Sequence, residues 1–179
     1  MLKTFWITRT AIMTALLVVL QMATAPLGNP LITGSAVNML LIISVMTCGL
    51  PTGLSVAALS PIAAKFIGIG PYWSLIPFII AGNVTLVIIW HFICKLTFKL
   101  VIMPYLIALA AAAAGKFAVM YSGVARIAVP YLLQLPEQQA AAISSMFSVQ
   151  QLFTALTGGA LAALILPALT KALAGMRRR

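Results

Sequence analysis

Residues 57–70 read AALSPIAAKFIGIG. The stretch is apolar enough to lie in lipid, yet it carries Lys65. A second stretch, AAAAGKFAVM at 111–120, carries Lys116 in the same way. The whole chain has a single acidic side chain, Glu137. The reading of these segments decides the fold class, because a lysine in an apolar run means one thing in a soluble core and another in a membrane. In lipid it is costly and marks either an interface or a functional interior.

The surroundings favour the membrane. The chain has 179 residues, 63% hydrophobic and 7% charged, with a mean hydropathy of +1.15. A soluble domain of this size does not carry so much apolar surface. With about 20 apolar residues per crossing there is room for about six spans. They are drawn at about 9–27, 34–50, 53–70, 74–95, 100–122 and 148–170. The spans are apolar nearly all round, so periodicity says little about which face is buried. Punctuation says more: GNP at 28–30, LPTG at 50–53 and GIGPYW at 68–73 are breaks. The expectation is one all-α membrane domain over residues 1–179, a bundle of six transmembrane helices.

The formal charge of +10 comes from eleven Lys and Arg against one acid. Lys3, Arg9, Lys95, Lys99, Lys171 and Arg177, Arg178 and Arg179 flank the spans on one side. By the positive-inside rule that side is the cytoplasm, which places both termini there. Arg126 and Glu137 fall in the long outer loop between spans five and six. That loop carries Pro130 and Pro136, and reads as a reclining interfacial segment or a lid. The N-terminal stretch also resembles a signal peptide ending at Ala23-Thr-Ala25. The charge symmetry favours a retained first helix instead. Nucleic-acid binding is not indicated, since the basic residues flank apolar runs and lack interleaved aromatics.

No catalytic constellation is visible. The single histidine, His91, sits near the inner end of span four beside Trp90. There is no paired carboxylate, no His/Cys cluster and no phosphate-binding loop. Hard cations need charged oxygen ligands, so a cation carrier is disfavoured. Cys48 and Cys94 fall near cytoplasmic helix ends, where a disulfide is not expected. The reading is therefore not an enzyme, with no metal and no cofactor.

The two lysines carry the remaining signal. Both lie in the outer thirds of their spans, at similar depth. One reading has them snorkel to the outer headgroups. The other has both point into a shared aqueous pocket, where an anionic ligand supplies the partner that the chain lacks. Asn38, Asn83, Gln151 and Trp73 lie at compatible depth, with Gln150 and Tyr72 beside them. Amides orient a small ligand and an aromatic stacks on it, although an Asn within a span also serves as helix-to-helix glue. Small residues at four-residue spacing allow close helix packing: Ala155, Gly159 and Ala163 in span six, and Ala11 and Ala15 in span one.

Several short motifs resemble those of the substrate-binding S components of energy-coupling factor (ECF) transporters. They are AIMTA at 11–15, ITGSAVN at 32–38, GLPTG at 49–53, IPFIIAGNV at 76–84 and GKF at 115–117. The resemblance implies a small six-helix bundle that binds a vitamin or micronutrient from outside, beneath the loop between helices one and two. It implies that Ala11 and Ala15 form an AxxxA docking row for the transmembrane coupling (T) subunit. Two ATPase subunits would complete the assembly, in a bacterial plasma membrane. The N-terminal histidines of metal-type members are absent, and no acids are present for a cationic, thiamine-like ligand. The expected ligand is an acidic vitamin or precursor of the pantothenate, biotin or folate kind. A stand-alone small-solute permease and a non-transport membrane scaffold are the alternatives.

Overall fold

In a computed structural model, which describes residues 2–70, 72–96 and 102–176, the described residues are mostly helical, with no strand among them. The helices are α1 (Leu2–Thr24), α2 (Pro30–Cys48), α3 (Leu50–Phe66), α4 (Ile76–Lys95), α5 (Met103–Met120), α6 (Glu137–Met146) and α7 (Val149–Met176). Between α5 and α6 the helix continues in a wider π-helical form over Tyr121–Leu133. Five helical runs are long and apolar enough to cross a membrane, and the protein is a multi-pass membrane protein. Lys99 and Arg177, Arg178 and Arg179, on which the expected topology partly rests, lie outside the described residues.

The chain marks its helix starts with proline. Pro30, Pro51, Pro77 and Pro104 each stand in the first turn of α2, α3, α4 and α5. There the missing N–H costs nothing and the fixed φ suits the helix. At α2 the Asn29 side chain adds a cap, accepting from the Leu31 N–H at 3.0 Å. Glycine marks the ends. Gly49 alone separates α2 from α3, with φ +91°. Gly68, at φ +80°, lets the N–H groups of Ile69 and Gly70 turn back to the Ala64 carbonyl at 2.9 and 3.1 Å.

Two boundaries differ from the sequence reading. LPTG at 50–53 opens α3 instead of forming a loop, because Gly49 makes the whole turn and Pro51 begins the helix. The outer loop begins ten residues or so later than expected, since α5 runs on through Gly123 and Pro130 to Leu133. The π register accommodates those two residues. Arg126 lies over the Tyr121 ring at 5.4 Å, five residues away and so one π-helical step along.

Without water to drive apolar groups together, helices in a membrane associate through close packing. The main core joins Leu17 of α1, Leu41 of α2, Val56 of α3, Trp90 of α4, Ala112 of α5 and Leu166 of α7. A second cluster at one end joins the π segment to α6 and to the start of α4 through Val124, Ala128, Phe147, Ile143 and Phe78. Glycines set the tightest approaches. A Cβ on Gly158 of α7 would meet the Ser35 carbonyl oxygen, the Asn38 Cβ at 2.7 Å and the Met39 nitrogen at 3.0 Å. A Cβ on Gly82 of α4 would meet the Met120 sulfur of α5 at 2.6 Å. Gly158 therefore holds α7 against the backbone of α2, and Gly82 holds α4 against α5.

The expected outcome of Gly158→Ala is a loss of about 1–3 kcal/mol, because backbone atoms cannot yield as a flexible side chain does. It is read as a lower thermal midpoint of the protein in mild detergent. Gly175→Ala is the control, since a Cβ there meets nothing within 4 Å. Equal effects at the two positions would contradict the packing role.

Candidate functional site

A cavity of about 380 Å³ lies between the ends of six helices. It is lined by Gln21 near the end of α1, Gly34 and Val37 near the start of α2, and Ser60 and Ala64 in the second half of α3. Asn83 of α4, Lys116 of α5 and Gln151 of α7 complete it. The contributing ends alternate C, N, C, N, C and N, as an up-and-down bundle requires. The connection between α1 and α2 adds Ala25, Gly28 and Asn29 to the wall, and the α6–α7 junction adds Met146 and Phe147. The volume falls within the range of about 300–1,000 Å³ typical of small-molecule sites.

Among the described residues, Lys116 is the only charged one on the wall, and it is 3% exposed. Its Nζ donates to Asn38 Oδ1 at 2.6 Å and to Asn83 Oδ1 at 2.8 Å. An ammonium can only donate, so both carboxamides must present their oxygens to it. The freed Asn38 Nδ2 donates to Thr154 Oγ1 at 3.3 Å, and Thr154 Oγ1 donates to the Gln151 carbonyl at 3.1 Å. The network ties α2, α4, α5 and α7 together. Gly82 and Gly158, at the close approaches described above, adjoin it in sequence or space.

Two neutral amide oxygens solvate an ammonium but do not balance its charge. A buried charge without a counter-ion is costly. The ammonium has three N–H bonds, and two are used within the network. No third acceptor for it is seen among the described residues. An anionic group in the cavity would complete both the hydrogen bonding and the charge, as a short charge-assisted contact.

The other residues singled out from sequence divide between this site and elsewhere. Asn38, Asn83, Lys116 and Gln151 come together at the cavity, Asn38 standing behind its wall. Lys65 and Trp73 are not among the lining residues, although Lys65 contacts Gly70, which is. Lys65 Nζ is 3.5 Å from the Gly70 carbonyl and 6.0 Å from the centre of the Trp73 ring. Trp73 is 54% exposed and meets the edge of Phe66 at 5.4 Å. The two lysines do not share a pocket. Ala11 and Ala15 are both exposed along one side of α1. His91 is half-buried near the other end of α4, and Cys48 and Cys94 are free.

Thr154, Ser60 and Gln21 belong to the site and were not singled out from sequence. Thr154 carried a faint signal, three residues after Gln151 on the same helix face. Ser60 stands immediately before a proline within an apolar span. A second hollow, between α2 and α7, is lined by apolar residues such as Leu31, Met39, Phe153 and Leu161. Its polar contact, Ser35 with Thr157, is internally satisfied, so it offers a ligand little specificity.

Asn83→Leu is expected to destabilise the ligand-free protein by about 1.5–3 kcal/mol, the worth of a hydrogen bond to a charged group. Adding Lys116→Met should recover most of that loss, because the charge that needed Asn83 has gone. Thermal midpoints of the two single variants and the double variant give the coupling. Additive effects would show that the Lys116–Asn83 contact is not energetically real.

Comparison with protein-family models, with curated proteins and with solved structures gives no significant match.

Proposed function

We propose that this protein is the substrate-binding S component of an ECF-type importer in a bacterial plasma membrane. It captures a small anionic vitamin or micronutrient from outside and passes it through an ATP-driven coupling module. The observation that carries this reading is Lys116: a buried cation on a cavity wall, held by neutral amides alone. An ionisable side chain kept at membrane depth without a protein counter-ion points to a ligand that brings one.

Charge placement supports the direction of capture. Arg9, near the start of α1, Lys95, at the end of α4, and Lys171, late in α7, lie toward the bundle end opposite the cavity. With that end in the cytoplasm, the cavity faces outward and both termini lie inside. The sixth crossing in this topology is α3, whose 17 residues are at the lower limit for a span. The α1–α2 connection lies over the cavity, where a loop can admit or retain a ligand.

The exposed α1 face supports the partnership. Ala11 and Ala15 lie among exposed Ile12, Leu16 and Val19. Small residues flanked by aliphatic ones let a second helix approach closely, and the T subunit is the proposed occupant. The energy comes from the two ATPase subunits. Within the cavity, Lys116 pairs with the acid of the ligand, held in place by Asn38 and Asn83, while Gln151 contributes amide hydrogen bonding.

Native mass spectrometry of the protein purified from rich medium tests the reading. The wild type should carry an acidic small molecule, and Lys116→Met should lose it, whereas Lys65→Met should retain it. A wild type that stays bare when acidic vitamins are added would overturn the proposal and favour a scaffold. Ala11→Leu/Ala15→Leu should abolish co-purification of the coupling module while ligand binding persists. Transport unaffected by that double substitution would instead identify a stand-alone permease.

A further inference from the structure

The last turn of α3 and the turn after it carry Lys65 together with four large exposed side chains, Phe66, Ile67, Tyr72 and Trp73. The backbone there is tightly set. Gly70 folds back on the helix end, where a Cβ would meet the Lys65 Cα at 2.9 Å. The Lys65 ammonium has the Gly70 carbonyl at 3.5 Å and the Trp73 ring at 6.0 Å, and neither carries a charge. Phe66 meets Trp73 edge-on, so lysine and aromatics form one patch. The single acid of the chain, Glu137, opens α6, and among the described residues no carboxylate pairs with Lys65.

The level of this patch in the bilayer follows from the length of α3, given the topology above in which α3 crosses. Its 17 residues rise about 25 Å, against a hydrocarbon core of about 30 Å. A span this short thins the bilayer locally or sends flanking side chains out to the surface. Lys65 stands in the last turn, so its ammonium comes to the level where headgroups begin. Trp and Tyr favour that level, with the ring body in the acyl region and the polar tip in water. A lysine there is attracted to anionic lipid. The short helical turn Trp73–Leu75, which leads into α4, adds a helix start that favours negative charge. We propose that Lys65, Phe66 and Trp73 form a lipid site. Lys65 receives the phosphate of an anionic phospholipid, and the two aromatic rings pack on its acyl chains. The site is independent of the cavity ligand: Lys116 is held by Asn38 and Asn83, whereas the bilayer supplies the counter-ion of Lys65.

The test titrates phosphatidylglycerol onto the delipidated full-length chain in mild detergent, with bound lipid counted by native mass spectrometry. Lys65→Met should weaken the tightest binding event about fivefold, the effect of one basic residue at an anionic surface. Trp73→Ala should weaken it too, and Lys65→Arg should preserve it. Lys171→Met, which removes a charge late in α7, should leave it unchanged. Inorganic phosphate, lacking acyl chains, should not compete. Equal weakening by Lys65→Met and Lys171→Met would reduce the effect to net charge and overturn the proposal. Competition by inorganic phosphate would also overturn it, since the occupant would then be a small anion. Depth is read separately in a Trp6→Phe background, which leaves Trp73 and the buried Trp90. In vesicles of lipids brominated at successive chain positions, Trp73 should be quenched most by the bromines nearest the headgroup. That result without a Lys65 effect would overturn the lipid site and keep α3 as a crossing. Greatest quenching by the deepest bromines, or none at any depth, would overturn the site together with that crossing.

Discussion

The ammonium of Lys116 sits between two carboxamide oxygens inside an apolar bundle, and the surrounding structure is arranged around that placement. Four helices meet at it. Asn38 and Asn83 can present their oxygens only because α2 and α4 are held close to α5 and α7. Gly82 and Gly158 permit that closeness, since a single methyl at either would press on a neighbour. Thr154 fixes the Asn38 amide from the other side. The result is a donor whose position is fixed by its two carboxamide partners. Preorganisation of this kind raises affinity by reducing what must be ordered on binding.

The bundle separates this site from the surface that would serve a partner. The cavity lies among the ends of α1 to α5 and α7, roofed at one side by the α6–α7 junction and the α1–α2 connection. The exposed alanines of α1 lie in the middle of that helix, away from Lys116. Helix α1 nonetheless contributes Gln21 to the cavity. A single helix therefore links the cavity to the proposed docking face, a route by which occupancy would influence partner contact under the proposed function.

Much of the fold was legible in the sequence. Apolar length gave the membrane and a chain of long helices, although five runs rather than the expected six are long and apolar enough to cross it, and Gly and Pro gave most of the breaks. The misreadings are instructive. GLPTG looks like a loop because Gly and Pro usually signal one, yet Pro51 in a first turn starts a helix. Gly123 and Pro130 suggested an irregular outer loop, but the chain absorbs both in a π-helical continuation that no residue pattern announces. For the site, position along each helix was legible and direction was not. Lys65 and Lys116 lie equally far along their spans, but helices apolar on every side give no clue to which face turns inward. Lys116 meets two asparagines, while Lys65 turns to its own helix end and Trp73. Small hydroxyls such as Ser60 and Thr154 escaped notice because most of them simply bond their own backbone.

The most direct test of the central claim is an experimental structure of the wild-type protein purified from rich medium. The account predicts a small molecule in the cavity with an acidic oxygen at hydrogen-bond distance from Lys116 Nζ, and with Asn38 and Asn83 still bound to that nitrogen. A cavity filled by a lipid chain, or a ligand whose acidic group turns away from Lys116, would contradict it.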